Sequence, residues 1–294
     1  MPLTGRVAVT GAHGRLGRAL VGAFAASGCD FVEWSRPDYD LDDTLAARRM
    51  VPRDRPRLVI HPAAWTDVDG CAGQPEVAFR RNGEAVGELA AACVDAGTGL
   101  VLISTNEVFD GARTDERGYV EDDETNPPNP YGASKLRGEE LAREAFAAAG
   151  LQERLWIVRT AWLYGPPGND FPTKILAAAD RLPAGETLKV VSDEVGSPTY
   201  TVDLAPAILD LVERAPGGTY HLAASGAASR LDVAAAVVAM CRRHVELAPI
   251  TRHEFRRASV PPAWAVLDCS RGAQFGVRLR PWQEGLQDYL SDLC

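Results

Sequence analysis

The apolar positions of the chain fall into two alternating patterns. Short continuous runs, Arg6-Val7-Ala8-Val9-Thr10, Asp30 to Trp34, Arg57-Leu58-Val59-Ile60-His61, Gly99-Leu100-Val101-Leu102-Ile103 and Leu155 to Thr160, have the length and branching of buried strands. Between them lie stretches with helical spacing. Leu20, Val21 and Phe24 lead to Gly28, and Leu136, Leu141, Ala142, Ala145 and Phe146 lead from Pro130 to a stop at Gly150. Strand and helix in regular alternation predict an α/β fold with a parallel sheet. Further along, a helix over 202–214, a strand around 218–222 and a helix over 231–244 continue the alternation, with Pro261-Pro262 and Pro281-Trp282 punctuating the tail.

The strand ends carry the chemistry. The first strand runs into Gly11-Ala12-His13-Gly14-Arg15-Leu16-Gly17 and then into a helix, the order a dinucleotide phosphate requires. Glycines let backbone approach a pyrophosphate, and the helix start offers free N–H groups with a partial positive charge. The GxxGxxG spacing resembles the short-chain dehydrogenase/reductase superfamily. After the second strand, Ser35-Arg36 suit a ribose 2′-phosphate and point to NADPH, with Arg15 a second candidate for that phosphate; Glu33 keeps NADH open. Asp40-Leu41-Asp42 follow in a loop where that superfamily often meets adenine. Small residues after the third strand, Ala63 and Ala64 before Trp65, permit close approach of a cofactor.

Ser104-Thr105-Asn106-Glu107 end the fourth strand, and Thr105 is placed to hydrogen-bond a substrate oxygen in the ligand crevice of an open sheet. Tyr131 and Lys135, four residues apart, share one helix face. A phenol titrates near 10, and a neighbouring ammonium brings it toward neutrality, which makes the pair a proton relay. Trp162, after the fifth strand, fits either stacking on a sugar or nicotinamide ring or the core.

Composition narrows the reading. With 294 residues, 46% hydrophobic and 24% charged, the chain can bury a large core. A net charge of −9 without a basic run argues against nucleic acid as a partner. No segment reaches the roughly 20 apolar residues of a membrane span, and the start Met-Pro-Leu-Thr-Gly-Arg-Val has no signal-peptide character, so a cytoplasmic protein is expected. The six cysteines are scattered and read as reduced thiols. The acidic run Glu121 to Glu124 matches no metal loop and reads as a solvated face.

Together TGAHGRLG, AAWTDVDGC, STNEVFDG, NPYGASKLRGEE, RTAWLYG, GNDF, SDEVGSPTYTVDLA, GTYHLAASG and PWQEGL resemble, in order and over nearly the whole chain, the dTDP-4-dehydrorhamnose reductase family of extended short-chain dehydrogenases/reductases. The resemblance implies a Rossmann-like doubly wound parallel sheet with a smaller C-terminal α/β substrate domain, divided as 1–164 plus 197–222 for the dinucleotide and 165–196 plus 223–294 for the substrate. It implies reduction of the 4-keto group of a dTDP-linked 6-deoxyhexose in deoxysugar biosynthesis. Thr105, Tyr131 and Lys135 would be catalytic, and Thr105, Glu107 and Trp162 would bind the sugar. Gly11, His13, Gly14, Arg15, Leu16, Ser35, Arg36, Asp40, Leu41, Ala63, Ala64, Trp65, Ser104, Tyr131 and Lys135 would hold the cofactor. Members sometimes use Mg2+, but no ligand is assigned here, and either a monomer or a homodimer is compatible.

The family commonly reads S-T-D-Y-V-F where this chain has Ser104-Thr105-Asn106-Glu107-Val108-Phe109, so Glu107 replaces a pocket tyrosine. His61-Pro62-Ala63 replaces a more usual asparagine-led sequence. Sugar-nucleotide 4,6-dehydratases and epimerases are the rival enzymes, because Thr105-Asn106-Glu107 resembles their Thr-Asp-Glu; Asn106 cannot serve as the acid. A non-catalytic NADP-binding regulatory subunit is the rival of another class, disfavoured by the joint presence of Thr105, Tyr131 and Lys135.

Overall fold

The computed structural model describes residues 5–183 and 185–294; the start Met-Pro-Leu-Thr, read above for signal-peptide character, lies outside them. Six parallel strands, β1 (Val7–Thr10), β2 (Phe31–Trp34), β3 (Leu58–His61), β4 (Gly99–Thr105), β5 (Leu155–Thr160) and β6 (Gly218–His221), form one sheet in the order β6-β5-β4-β3-β1-β2. The chain winds outward in both directions from β1 and β3, so the switch point lies between those two strands, where open α/β sheets bind ligands.

Side chains alternate across this sheet with period two. Val7, Val9, Leu58, Ile60, Val101 and Ile103 pack on one face with Leu16, Leu20 and Phe24 from the helix Arg15–Ser27 and Leu204, Ile208 and Leu211 from the helix Thr201–Arg214. Ala8, Val59, Leu100, Leu102 and Ile157 fill the other face. There they meet Met50 and Val51 of the helix Ala46–Asp54, Val86 and Leu89 of Ala85–Asp95, and Ala142 and Phe146 of Pro130–Ala148. Both faces are dry, which explains why the strands read as continuous apolar runs. Each strand begins or ends within two residues of its expected bounds.

A second core gathers Tyr164, Ile175, Leu176, Val190, Val237, Trp282, Leu286 and Tyr289. Its helix Phe171–Arg181 starts at a capping box in which Asp170 and Thr173 satisfy each other's backbone N–H groups. Asp170 Oδ2 also accepts from Gly165 N and from the Tyr289 hydroxyl, each at 2.9 Å. The helix expected over 231–244 spans Arg230–Met240.

Two expectations are corrected. Cys241 and Cys294 form a disulfide with Cα atoms 5.4 Å apart, so the cysteines are not all reduced; a separation of 53 residues gave the sequence no spacing to read. Glu121 is not solvated: it is buried, accepts from His221 N at 2.9 Å and lies 3.6 Å from Arg271, while Asp122 beside it stays exposed. Burial alternates from Tyr119, bridged to Leu267, through exposed Val120 to Glu121, which turns inward where the chain enters a turn.

Candidate active site

A cavity of about 970 Å³ opens along the carboxyl ends of the strands, and every site residue expected from the sequence lies on its wall. At one end are Gly11, His13, Gly14, Arg15, Leu16, Ser35, Arg36, Asp40, Leu41, Ala63, Ala64 and Trp65; in the middle Ser104, Thr105, Tyr131 and Lys135; at the other end Glu107 and Trp162.

The glycine turn is shaped by contacts that no side chain would allow. Gly11 has φ 53° and packs so closely on β3's exit that a Cβ would lie 3.0 Å from Ala63 Cα. Gly17 sits against the Gly11 carbonyl and the Ala12 backbone, which draws the helix onto the turn. Gly14 caps that helix without any side-chain hydrogen bond, leaving its first N–H groups turned toward the cavity mouth. Behind the crevice, His61 is buried and ties β3 to β1 through Nδ1 and Thr10 Oγ1 at 2.8 Å. Burial, helped by the Lys135 charge, pushes its pKa down to about 3, so it stays neutral.

Three features bear on the adenine end. Ser35 Oγ is buried without a partner among the described residues, next to the exposed Arg36, a setting that accommodates a phosphate oxygen. Arg15 is occupied elsewhere: its Nη2 donates to the carbonyls of Gly168 (3.0 Å) and Asn169 (3.2 Å). It bridges the glycine turn to the loop of the second core. His13 Nε2 lies 3.5 Å from Glu33.

The central group rests on the helix Pro130–Ala148. Asn129 caps it, with Oδ1 accepting from Gly132 N at 2.9 Å, and Pro130 occupies the first turn. Lys135 is buried and its Nζ donates to the Ile103 carbonyl at 2.7 Å, fixing the helix to the end of β4. Burial lowers its pKa to about 8, partly opposed by Glu139 one turn on. Glu139 is fully buried and receives both arms of Arg159 (3.0 and 2.8 Å), Arg143 Nη2 at 2.7 Å and Ser104 Oγ at 2.5 Å. Burial alone would raise its pKa; the Arg159 bonds and charge outweigh this and hold it below the usual range. Ser104 therefore spends its hydroxyl on Glu139 while its residue lines the cavity.

Tyr131 corrects a simple expectation. Its phenol is pushed above its ordinary value by burial first and by the Glu107 charge second, with the Thr105 hydrogen bond pulling the other way. Desolvation of the phenolate sets the direction of the shift, while the Lys135 ammonium gives one of its N–H groups to the Ile103 carbonyl.

At the far end Arg230, which neither pattern nor motif singled out, joins Trp162. The Arg230 guanidinium stacks 3.5 Å above the Trp162 ring and 5.0 Å from the Phe171 ring, and lies 3.6 Å from Glu194. Burial lowers its pKa to about 10, against the pull of Glu194 and Glu107, so it remains a cation. Trp162, at φ 44°, is also pressed against Gly196, where a Cβ would come within 2.7 Å of the indole. The ring is thus a platform for Arg230. Only the Ser-x-x-Asp capping box at Ser229 hinted that Arg230 opens a helix.

A second unanticipated part is the π-helical turn Arg80–Glu84, a type of turn that recurs at functional sites. It carries the buried Asn82, whose amide accepts from Trp65 N (2.8 Å) and donates to Trp65 O (3.0 Å) and Ser134 Oγ (3.1 Å). Asn82 thereby ties the exit of β3 to the Tyr131 helix. Arg81, beside it, lies 5.4 Å from the Trp65 ring.

Comparison with known proteins agrees with this geometry. The model of the family described as RmlD substrate binding domain matches residues 5–294. A dTDP-4-dehydrorhamnose reductase of Mycolicibacterium smegmatis is 40% identical over 288 residues, 96% of this chain and 84% of the relative. Among solved structures, a dTDP-4-dehydrorhamnose reductase from Clostridium acetobutylicum superposes with TM-score 0.89 at 33% identity, over 98% of this chain and 99% of the other. One from Bacillus anthracis, in complex with NADP, gives 0.90 at 31%, over 99% and 100%. The likeness runs over nearly the full length, and the chain belongs to the dTDP-4-dehydrorhamnose reductase family.

Proposed function

We propose that the protein is an NADPH-dependent oxidoreductase that reduces the 4-keto group of a dTDP-linked 4-keto-6-deoxyhexose. The observation that carries this reading is the convergence of the glycine turn, Thr105, Tyr131 and Lys135 on one continuous cavity. The names of its relatives, and the NADP held by the Bacillus anthracis reductase, support the cofactor and substrate class.

The residues present fit the cofactor. Gly11, His13, Gly14, Arg15 and Leu16 would lie along its pyrophosphate, Ser35 and Arg36 at the 2′-phosphate, Asp40 and Leu41 by the adenine, and Ala63, Ala64, Trp65 and Ser104 toward the nicotinamide half. The partnerless Ser35 Oγ and the uncapped helix start are the observations that favour this placement. Bound there, reduced nicotinamide supplies a hydride.

The chain's own task is the oxygen. As hydride reaches carbon 4, negative charge grows on the former carbonyl oxygen, and donors aimed at it lower the barrier. Tyr131 gives its proton to that oxygen and Thr105 donates a hydrogen bond to it. A phenol with a raised pKa is fully protonated and ready to donate at neutral pH. Lys135, a cation below about pH 8, holds the nicotinamide ribose and favours the phenolate left behind. Glu107, Trp162 and Arg230 shape the sugar end.

The test is NADPH consumption with dTDP-4-keto-6-deoxy sugars, comparing the wild-type protein with Tyr131→Phe. Turnover that needs the phenol is expected; no turnover on any such sugar, or full activity in the variant, would sink the proposal. Product NMR then reads the configuration at carbon 4.

A further inference from the structure

We propose that Glu107 is a general base that removes a proton from a carbon next to the substrate's keto group, giving the site an enolising activity beside hydride transfer. The inference rests on the ketone-reduction reading above and concerns a different bond.

Geometry places Glu107 against the reacting centre. It lies two residues beyond Thr105, and its N–H donates to Thr105 Oγ1 at 3.2 Å. The residue after Tyr131, Gly132, packs directly on the Glu107 carbonyl, a closeness only glycine permits. Asn129 holds the side chain from the same helix end. Its Oδ1 caps the helix at Gly132 N, while its Nδ2 donates to Glu107 Oε2 at 2.7 Å. One amide thus locks the carboxylate to the Tyr131 helix. The other oxygen, Oε1, makes no hydrogen bond among the described residues, and Glu107 lines the cavity. A ketone oxygen held by Tyr131 and Thr105 would set its two neighbouring carbons on either side, in the cavity whose wall Glu107 shares with those two residues.

The electrostatic setting suits a base. Burial pushes the Glu107 carboxyl above its ordinary value, and Asn129, Arg230 and Arg257 keep it from rising further, while Glu194 adds to the rise. A carboxylate so placed is a stronger base than one in water.

The step balances without an oxidant or reductant. The carbon–hydrogen bond breaks, its proton moves to a Glu107 oxygen, and the electron pair forms the carbon–carbon double bond of an enolate. The keto oxygen takes the charge under the Tyr131 and Thr105 hydroxyls. Reversal returns a proton, or a deuteron once the carboxyl has exchanged with solvent. Asn106, where an acid would be needed to expel water, instead donates Nδ2 to Ala265 O at 3.1 Å, so the enolate reverts rather than eliminates.

The experiment incubates the wild-type protein with NADP+ and a dTDP-4-keto-6-deoxyhexose in D2O and follows the sugar's carbon 3 and carbon 5 protons by NMR. Exchange at one of the two carbons is expected. Glu107→Gln should slow it about 10²–10⁴-fold, with Glu107→Asp keeping part of the rate. NADPH binding by fluorescence confirms that the variants are folded. A wild-type protein that reduces the sugar with NADPH yet exchanges no faster than buffer overturns the proposal, as does a Glu107→Gln variant exchanging at the wild-type rate. A protein that neither reduces nor exchanges the sugar overturns both proposals.

Discussion

The two ends of the cavity are built from different materials. The cofactor end is made of backbone: a glycine turn, an uncapped helix start and the small residues after β3, all within a few residues of a strand end. The end proposed for the sugar is made of side chains from segments far apart in the chain: Arg230 stacks on Trp162 and Phe171 and pairs with Glu194, and Glu107 lines the same wall. Backbone recognition tolerates little change and reads the same feature in every dinucleotide. Side-chain recognition is adjustable, and under the proposed function it is the part that discriminates among sugars.

Variants can break or sharpen that contrast. The largest effect is expected at the junction of the two ends: Tyr131→Phe should lower kcat by about 10²–10⁴-fold, measured in single-turnover reduction, with NADPH affinity little changed. Next, Arg159→Leu removes two of the hydrogen bonds to the buried Glu139 carboxylate and leaves it to Arg143 and Ser104, which should cost about 3 kcal/mol in denaturant unfolding. Because the folded-state pKa of Glu139 is lowered, the stability it contributes is present above the unfolded carboxylate value. It is lost as pH falls through the folded one.

Arg230→Ala tests the sugar end alone. It should reduce kcat/KM for the sugar about 10–100-fold, the worth of a charge-assisted hydrogen bond, and leave the NADPH dissociation constant within about twofold. Arg36→Ala tests the cofactor end alone. NADPH affinity should fall about tenfold by titration calorimetry, while the sugar KM holds. The smallest effect is pH: Lys135 loses its proton above about 8, so kcat/KM should decline on the alkaline side, approaching tenfold per pH unit.

The same contrast explains what the sequence disclosed. Short apolar strands, Gly11, Gly14 and Gly17, and the Asn129-Pro130 start of the Tyr131 helix are local features. Their physics is contained in neighbouring residues, and they led to the sheet, the turn and the relay. Arg230 and Trp162 meet through a contact between residues 68 positions apart (162 and 230), which no periodicity encodes. Glu121 and the Cys241–Cys294 bridge were misread for the same reason: an inward turn and a pairing across 53 residues are properties of the fold. The direction of the Tyr131 shift needed knowledge of burial, which a helix-face argument does not supply.

The π-turn at Arg80–Glu84 has a consequence for how this scaffold tolerates change. Such a turn amounts to one residue more than an α-helix would use, so removing a residue there would restore ordinary winding. The helix on either side would keep its faces, but the widened turn that carries Asn82 would close. Asn82 would swing away from Trp65 and Ser134 together, and the exit of β3 would come loose from the relay helix. A single-codon deletion at this distance from Tyr131 is therefore a change in catalytic alignment, although it alters none of the reacting groups.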